Sequence, residues 1–328
     1  MRVHHLDCCT MCPRGQSAVN GEGSLIARAR LVSHCLLIET DAHGLVLVDT
    51  GIGVDDVRDT RRLGRFFGRA MAIDAAKTQM PALPQVEALG FRREDVRHLV
   101  LTHLDFDHAG GLPDFPEAKV HVHAKEKDAA LARASVNQKQ RYRSLQFVHG
   151  PAWETYEALG EPWKGVPAVR QLEGLPPEVL ALPMPGHSRG HAAIAIDTGH
   201  GWLVHGGDAY FHRSVTERGD NSGMPWALRG IERFIAFDYN SVRANHAIFS
   251  ELAKHDDVTM FSSHDPVEYE RLRAANGERT LWPHQHTSED FPRPDSPLEA
   301  DHADRPTIWG RKSRSGCAVA QFRTKRCS

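Results

Sequence analysis

A buried strand that runs directly into a cluster of histidines and aspartates is the feature that most limits how this chain can fold. The apolar run VRHLVLTH (residues 96–103) predicts a strand buried on both faces. The motif HLDFDHAGG (residues 103–111) follows it and places four ligand-type side chains at His103, Asp105, Asp107 and His108. Layered α/β folds carry their chemistry in loops at strand ends, because the sheet holds those loops rigidly. The motif therefore predicts a functional site at the edge of a sheet.

Three more residues of the same chemical kind follow apolar runs later in the chain. They are His187 in PMPGHSRGH, Asp208 in HGGDAYF and His264 in FSSHDP. Glycine, proline and serine flank each of them and allow the backbone to turn into a shared cleft. Seven such side chains suit two metal ions, and a carboxylate such as Asp208 can bridge them through its two oxygens.

Composition and charge exclude several classes of partner. The chain has 328 residues, a formal net charge of −2 and a pI near 6.9. This balance favours a small-molecule substrate, and we expect neither a nucleic-acid nor a membrane partner. No apolar run approaches the length of a membrane span, and the start MRVHHLDCCTMCP does not resemble a signal peptide, so we expect a cytoplasmic protein.

The cysteines indicate no disulfide framework. Six are present, and CTMC at Cys9 to Cys12 has no second ligand pair to complete a zinc site. We expect Cys8, Cys9 and Cys12 to be small apolar residues packed beside the first strands.

The pattern of the chain predicts one large domain and a tail. Residues 1–272 would form the catalytic domain, with helical insertions near 125–170 and 212–255. Residues 273–328, rich in proline, aspartate and histidine without an apolar period, predict an extended or disordered tail. The sequence leaves open whether the protein is a monomer or a homodimer.

HLDFDHAGG resembles the HxHxDH signature of the metallo-β-lactamase superfamily, with Asp105 in place of a histidine. LVDTG, GHSRGH, GGDAYF and SSHDP occur in the family's order, so the resemblance covers roughly residues 30–270. It implies an α/β fold, an αββα sandwich of two mixed β-sheets with flanking helices. It also implies two sets of metal ligands with Asp208 bridging them: a first ligand group of His103, Asp105 and His187, and a second ligand group of Asp107, His108 and His264. Asp49 in LVDTG would orient the ligand histidines.

The resemblance is nearest to the N-acyl homoserine lactonase type. It implies a dinuclear metal-dependent hydrolase that uses a metal-bridging hydroxide to open a lactone or cleave an ester of a small molecule. Asp107 or Asp208 would carry the proton to the leaving group. The first metal or Tyr210, chosen because it lies two residues after Asp208, would stabilise the oxyanion. Zinc is the first choice of metal, while the oxygen donor of Asp105 makes manganese or iron competitive.

Two alternatives fit nearly the same ligands. One is a phosphotriester or thioester hydrolase of the same fold. The other is a diiron redox protein related to the flavodiiron proteins, which carry a carboxylate at the position of Asp105.

Overall fold

The computed structural model describes residues 1–64, 67–73 and 81–277 of the chain. Within these residues, two six-stranded mixed sheets form the centre of the fold. The strands of the first sheet, in spatial order, are β1 (Arg2–Asp7), β2 (His34–Glu39), β3 (Leu45–Val48), β4 (Val96–Val100), β5 (Lys119–His123) and β6 (Ala152–Tyr156). Strands β1 to β3 pair antiparallel and β3 to β6 pair parallel.

The second sheet is antiparallel except at one edge. Its strands, in spatial order, are β7 (Glu161–Trp163), β8 (Val166–Gln171), β9 (Val179–Pro183), β10 (Ala192–Asp197), β11 (Trp202–His205) and β12 (Val258–Phe261). Only the β11–β12 pair within this sheet is parallel. The strands β9, β11 and β12 therefore run in the same direction, and the loops that follow them leave the sheet at one edge.

Helices connect the strands and cover the sheets. The described α-helices are α1 (Gln16–Val19), α2 (Val54–Arg58), α3 (Phe67–Ala70), α4 (Ala82–Ala88), α5 (Phe106–Ala109), α6 (Ala124–Ala132), α7 (Val136–Arg141), α8 (Ser214–Arg218), α9 (Trp226–Ile235), α10 (Tyr239–Leu252) and α11 (Pro266–Ala275). None of the described helices is both long and apolar enough to cross a membrane. The cytoplasmic location and the monomer or homodimer state stay predictions.

The core consists of three apolar layers, as the alternation along the strands requires. Leu36 of β2 and Ile194 of β10 lie in the layer between the sheets. Their neighbours point the opposite way: Leu37 packs in a cluster with α4 and α6, and Ala193 packs in a cluster with Phe249 of α10. Helix, sheet, sheet and helix thus follow one another, which confirms the predicted αββα sandwich.

In the first half, the apolar runs ARLVSHCLLIET and GLVLVDTG on either side of the turn signal DAHG predict a hairpin, and the structure agrees. The runs on either side of DAHG form an antiparallel hairpin of β2 and β3, with Leu36 opposite Val48. The run VRHLVLTH forms the buried strand β4. Cys8, Cys9 and Cys35 are buried, and all four cysteines that the structure describes are free thiols. This agrees with their predicted role as packing residues.

Two predicted boundaries differ from the structure. The segment 125–170 begins with α6 and α7 but ends with strands, because β6 pairs with β5 and so extends the first sheet. That pairing joins distant residues, and no local pattern reveals it. Helices α8, α9 and α10 lie within residues 212–255. The boundary predicted at 272/273 falls inside α11, and residues 278–328 of the predicted tail lie outside the described part.

Candidate metal centre

The predicted site residues meet at one edge of the two sheets. Five of these residues lie shortly after the end of a strand: Asp49 follows β3, His103 follows β4, His187 follows β9, Asp208 follows β11 and His264 follows β12. The remaining residues of HLDFDH lie between β4 and the end of α5. Because these strand ends meet, residues more than 150 positions apart in the chain, such as His103 and His264, come together.

The first ligand group is closely packed and buried. Its donor atoms, one from each of His103, Asp105 and His187, all lie within 4.8 Å of one another. Oδ2 of Asp105 lies 3.0 Å from Nε2 of His187 and 3.5 Å from Nε2 of His103. The carboxylate that replaces a histidine in the motif therefore does face the other two predicted ligands.

The second ligand group has the same spacing. Donor atoms of Asp107, His108 and His264 also lie within 4.8 Å of one another. Oδ2 of Asp107 lies 3.8 Å from Nε2 of His264. The rings of His103 and His108 have centroids 4.0 Å apart, so the two groups are neighbours.

Asp208 lies between the groups, with one oxygen toward each. Oδ1 lies 3.3 Å from Nε2 of His108 and 3.2 Å from Nε2 of His264. Oδ2 lies 3.5 Å from Nε2 of His187 and 3.8 Å from Nε2 of His103. This is the arrangement that a bridging carboxylate requires.

The outer ring nitrogens of three histidines are held by protein acceptors. Nδ1 of His108 donates to Oδ2 of Asp49 at 2.8 Å, and Nδ1 of His264 donates to the carbonyl of Val32 at 2.8 Å. Nδ1 of His103 donates to the Thr102 hydroxyl at 3.0 Å. Metal-binding histidines are typically oriented in this way, with Nε2 left as the ligand.

Several of the atoms that point into the cluster have no hydrogen-bond partner. They are Nε2 of His103, Nε2 of His108 and Oδ1 of Asp208. Buried polar atoms are rarely left unpaired in folded proteins, so their convergence fits a bound cation. Donor atoms of His103, His108 and Asp208 lie within 4.8 Å of one another, and the second ligand group contributes His108 to this set, so that group together with Asp208 fits a divalent metal.

Asp49 takes the position predicted for it and explains the geometry of LVDTG. Its backbone has a φ of 55°, a left-handed conformation in which an aspartate can remain because its side chain is held locally. Oδ1 accepts from the Thr102 amide at 2.8 Å, and Oδ2 accepts from the Thr102 hydroxyl and from His108. Asp49 therefore ties the end of β3 to the ligand loop after β4.

The electrostatics of the cluster favour added positive charge. Burial would lower the pKa of His108, but the carboxylates of Asp208 and Asp49 outweigh it and raise that pKa well above its ordinary value. Burial would raise the pKa of Asp208, yet His264 and His108 hold it well below its usual range. A divalent cation would meet the same demand without a proton.

Arg141 is a site residue that the sequence did not reveal. It ends α7, and its guanidinium forms a two-point ion pair with Asp105, with Nε donating to Oδ1 and Nη2 to Oδ2, both at 2.7 Å. Burial would raise the pKa of Asp105, but the Arg141 charge and His103 keep it well below its usual range. Burial and Arg141 lower the pKa of His187 to about 4, so that ring is neutral. Nothing in the local sequence VNQKQRYR marks this arginine as part of a site.

Glu126 is a second residue that the sequence did not reveal. It looks like one of the surface charges of α6, yet it is buried and its oxygens accept four hydrogen bonds. The donors are the amides of Leu104 and Gly190 and the hydroxyls of Tyr142 and Ser188. Glu126 thereby ties the loop of His103 to the loop of His187.

His191, which ends the motif PMPGHSRGH, has a positioning role in the structure. It is fully buried, and its Nε2 accepts from the backbone amide of Asp208 at 2.9 Å. Gly207 has a φ of 56°, and a Cβ there would lie 2.6 Å from Nε2 of His191. Gly207 of HGGD thus lets the loop pack against His191, which positions Asp208.

Tyr210 lies in a different environment from the one expected of a catalytic residue. Its side chain is fully buried in the apolar cluster beneath α10, where its ring packs against Phe249. Its hydroxyl donates to Oε1 of Glu268 at 3.4 Å. Among the described contacts of Tyr210, none joins it to either ligand group, so the predicted oxyanion role receives no support from the structure. A position two residues after Asp208 therefore does not bring the side chain of Tyr210 to the face of the loop that carries Asp208.

The fold and the site together define the class of protein. Two mixed sheets with flanking helices and a histidine and carboxylate cluster at their edge are the architecture implied by the motif order. Residues 28–264 match the sequence profile of the metallo-beta-lactamase superfamily, and the chain belongs to that family. The resemblance inferred from HLDFDHAGG is thereby confirmed.

Relatives support a metal-dependent hydrolase. A protein of Mycobacterium tuberculosis named as a probable metallo-hydrolase is 42% identical over 275 residues, which are 83% of this chain and 83% of that protein. An N-acyl homoserine lactonase of Bacillus cereus is 26% identical over 196 residues, 59% of this chain and 69% of that protein. The chain is thus a metal-dependent hydrolase. These relatives favour the hydrolase interpretation over the diiron redox alternative.

A solved structure shows the same fold at lower identity. It is an N-acyl homoserine lactone hydrolase with the product N-hexanoyl-L-homoserine bound at its catalytic metal centre. The TM-score is 0.59 with 21% identity, and the match covers 82% of this chain and 95% of that chain. At this level of identity, the likeness shows the fold alone.

Proposed function

We propose that this hydrolase opens a lactone or cleaves an ester of a small molecule, with N-acyl homoserine lactones as the first candidate substrates. The observation that carries the proposal is the position of Asp208, whose two oxygens face different ligand groups at 3.2 to 3.8 Å. A carboxylate held between sets of metal ligands is typical of metal-assisted hydrolysis. The Bacillus cereus lactonase, at 26% identity, supports the choice of substrate.

The second ligand group and Asp208 would hold a divalent ion, for which zinc is the first choice. When bound, such an ion polarises a substrate carbonyl and makes water acidic enough to attack it at neutral pH. The first ligand group would hold the second ion of the predicted dinuclear centre. An oxygen donor at Asp105 makes manganese or iron competitive there.

We assign proton transfer to the leaving alkoxide to Asp107, with Asp208 as the second choice. Both oxygens of Asp208 face histidines, and its side chain is 4% exposed. The Asp107 side chain is 13% exposed and contacts the cluster from the more open side. A proton carrier has to reach both the substrate and water, and Asp107 meets that requirement better.

The experiment is a substrate panel on full-length protein purified without chelator, with its metal content measured in parallel. The panel holds N-acyl homoserine lactones of several chain lengths, aryl esters, phosphotriesters and thioesters. We expect the lactones or aryl esters to be hydrolysed without added reductant or oxygen, and chelation to stop the reaction. Turnover confined to phosphotriesters or thioesters would replace this proposal with the alternative named above.

A further inference from the structure

The guanidinium of Arg141 uses all of its hydrogen-bond donors inside the fold. Nε and Nη2 donate to the two oxygens of Asp105. Nη1 donates to the carbonyl of His187 at 2.9 Å and to the carbonyl of Ile235 at 2.8 Å. The second hydrogen of Nη2 points to Nε2 of His187 at 2.6 Å. An arginine has five N–H donors in a fixed planar fork, and each of these five has an acceptor.

This network fixes the arginine in place. The side chains of Arg141 and Asp105 are each 11% exposed, and the two carbonyls come from the loop after β9 and from the end of α9. A guanidinium held by hydrogen bonds to three separate residues is not a mobile surface group that happens to point into a cavity. Displacing it would leave a buried carboxylate and two carbonyls without their donors, which is costly.

Arg141 competes with a metal for two of the three donors of the first ligand group. A guanidinium nitrogen can only donate, so Nε2 of His187 has to accept and commits the lone pair that a metal needs. Both oxygens of Asp105 are already paired with the same positive charge. Only His103 keeps an unpartnered Nε2 in this group.

Within the described part of the chain, no cation pairs with the second ligand group in this way. Nε2 of His108 is unpartnered, and Nε2 of His264 faces Oδ1 of Asp208. Among the described ion pairs, those of these two histidines are with carboxylates alone. The donor spacing of the two groups is alike, so the difference between them is the arginine.

We propose that Arg141 makes the two metal sites unequal, so that the chain binds one divalent ion firmly at the second ligand group while the arginine occupies the first. The proposal rests on the metal-dependent function proposed above and deepens it by naming the residue that sets metal stoichiometry. It also gives a reason for the carboxylate at position 105, because an aspartate can form a two-point ion pair with an arginine and a histidine cannot.

The test is metal stoichiometry and affinity, which need no substrate. Full-length apo protein is titrated with Zn²⁺ in the presence of a competing chelator, and retained metal is measured by elemental analysis after desalting. We expect wild type to retain one ion per chain and to take up a second one about 100-fold more weakly, the upper range of what contacts around ligands do to metal affinity. Replacing His284, His286 and His302 of the C-terminal segment by alanine removes adventitious binding from the count.

Variants identify the residue responsible. Arg141→Met should raise the retained metal from one ion to two, whereas the matched control Arg143→Met should leave it at one. His264→Ala should lose the firmly bound ion, and His187→Ala should keep it. These last two variants test the proposal even if Arg141→Met fails to fold.

Two results would overturn the proposal. One is two ions of equal affinity in wild type with no change in Arg141→Met. The other is a firmly bound ion that His187→Ala loses and His264→Ala keeps. Neither result depends on the substrate panel, so a protein with unequal sites but no lactone turnover would count against the proposed substrate alone.

Discussion

In the second ligand group, His108 and His264 each give one ring nitrogen to a protein acceptor and turn the other toward Asp208. In the first group, Nε2 of His187 and both oxygens of Asp105 instead accept hydrogen bonds from Arg141. The residue types and spacings of the two groups are nearly the same. The comparison shows that a ligand motif describes which atoms could bind a metal, while the surrounding charges decide whether those atoms are free to do so.

The largest loss of activity and of metal binding should come from substituting residues that supply donors to the firmly bound ion. His108→Ala and Asp208→Ala should each abolish measurable turnover and firm metal binding, because both remove donors from the same ion. Steady-state hydrolysis and elemental analysis measure the loss, and circular dichroism checks the fold. Asp128→Ala, an exposed aspartate of α6, is the matched control. Near-normal activity in either variant would show that the second group is not the metal site.

A smaller loss of metal affinity should come from substituting Asp49, which orients His108. Asp49→Asn keeps the shape of the side chain but removes the charge beside Nδ1 of His108, and should weaken metal binding about 10- to 100-fold. Chelator competition measures the affinity, and Asp41→Asn in the exposed β2–β3 turn is the control. An unchanged affinity would mean that the ion depends on the first group, whose outer contacts do not include Asp49.

The smallest effect on metal binding should come from substituting Glu126, which supports the loops of the first group. Glu126→Gln replaces a double acceptor with a side chain whose amide meets donors at Leu104 or Ser188, so roughly 1–3 kcal/mol of stability should be lost. Urea unfolding measures that loss, with the exposed Glu117→Gln as control. The firmly bound ion should remain, since the described hydrogen bonds of Glu126 go to Tyr142 and to the loops of His103 and His187, and none goes to the second group. Loss of that ion would show that the two groups act as one unit.

The sequence determined the strands and the candidate ligands, because both are local signals. Alternating and continuous apolar runs located β2, β3 and β4, and each ligand-type residue follows such a run within a few positions. The order of the motifs then placed the chain in its family, and the structure brings the donor atoms of each predicted ligand group within 4.8 Å of one another. The orienting role of Asp49 was also accessible in this way, since it lies directly after β3.

Only the tertiary structure decided what surrounds those ligands. Arg141 reaches Asp105 across 36 positions, and Glu126 reaches Gly190 across 64. Both residues lie on helices whose local sequence is that of an ordinary charged surface. Tyr210, two residues from Asp208, faces the core instead of the cluster. Side-chain direction and long-range charge pairing depend on how the two sheets and their helices pack, and a linear pattern carries no record of that packing.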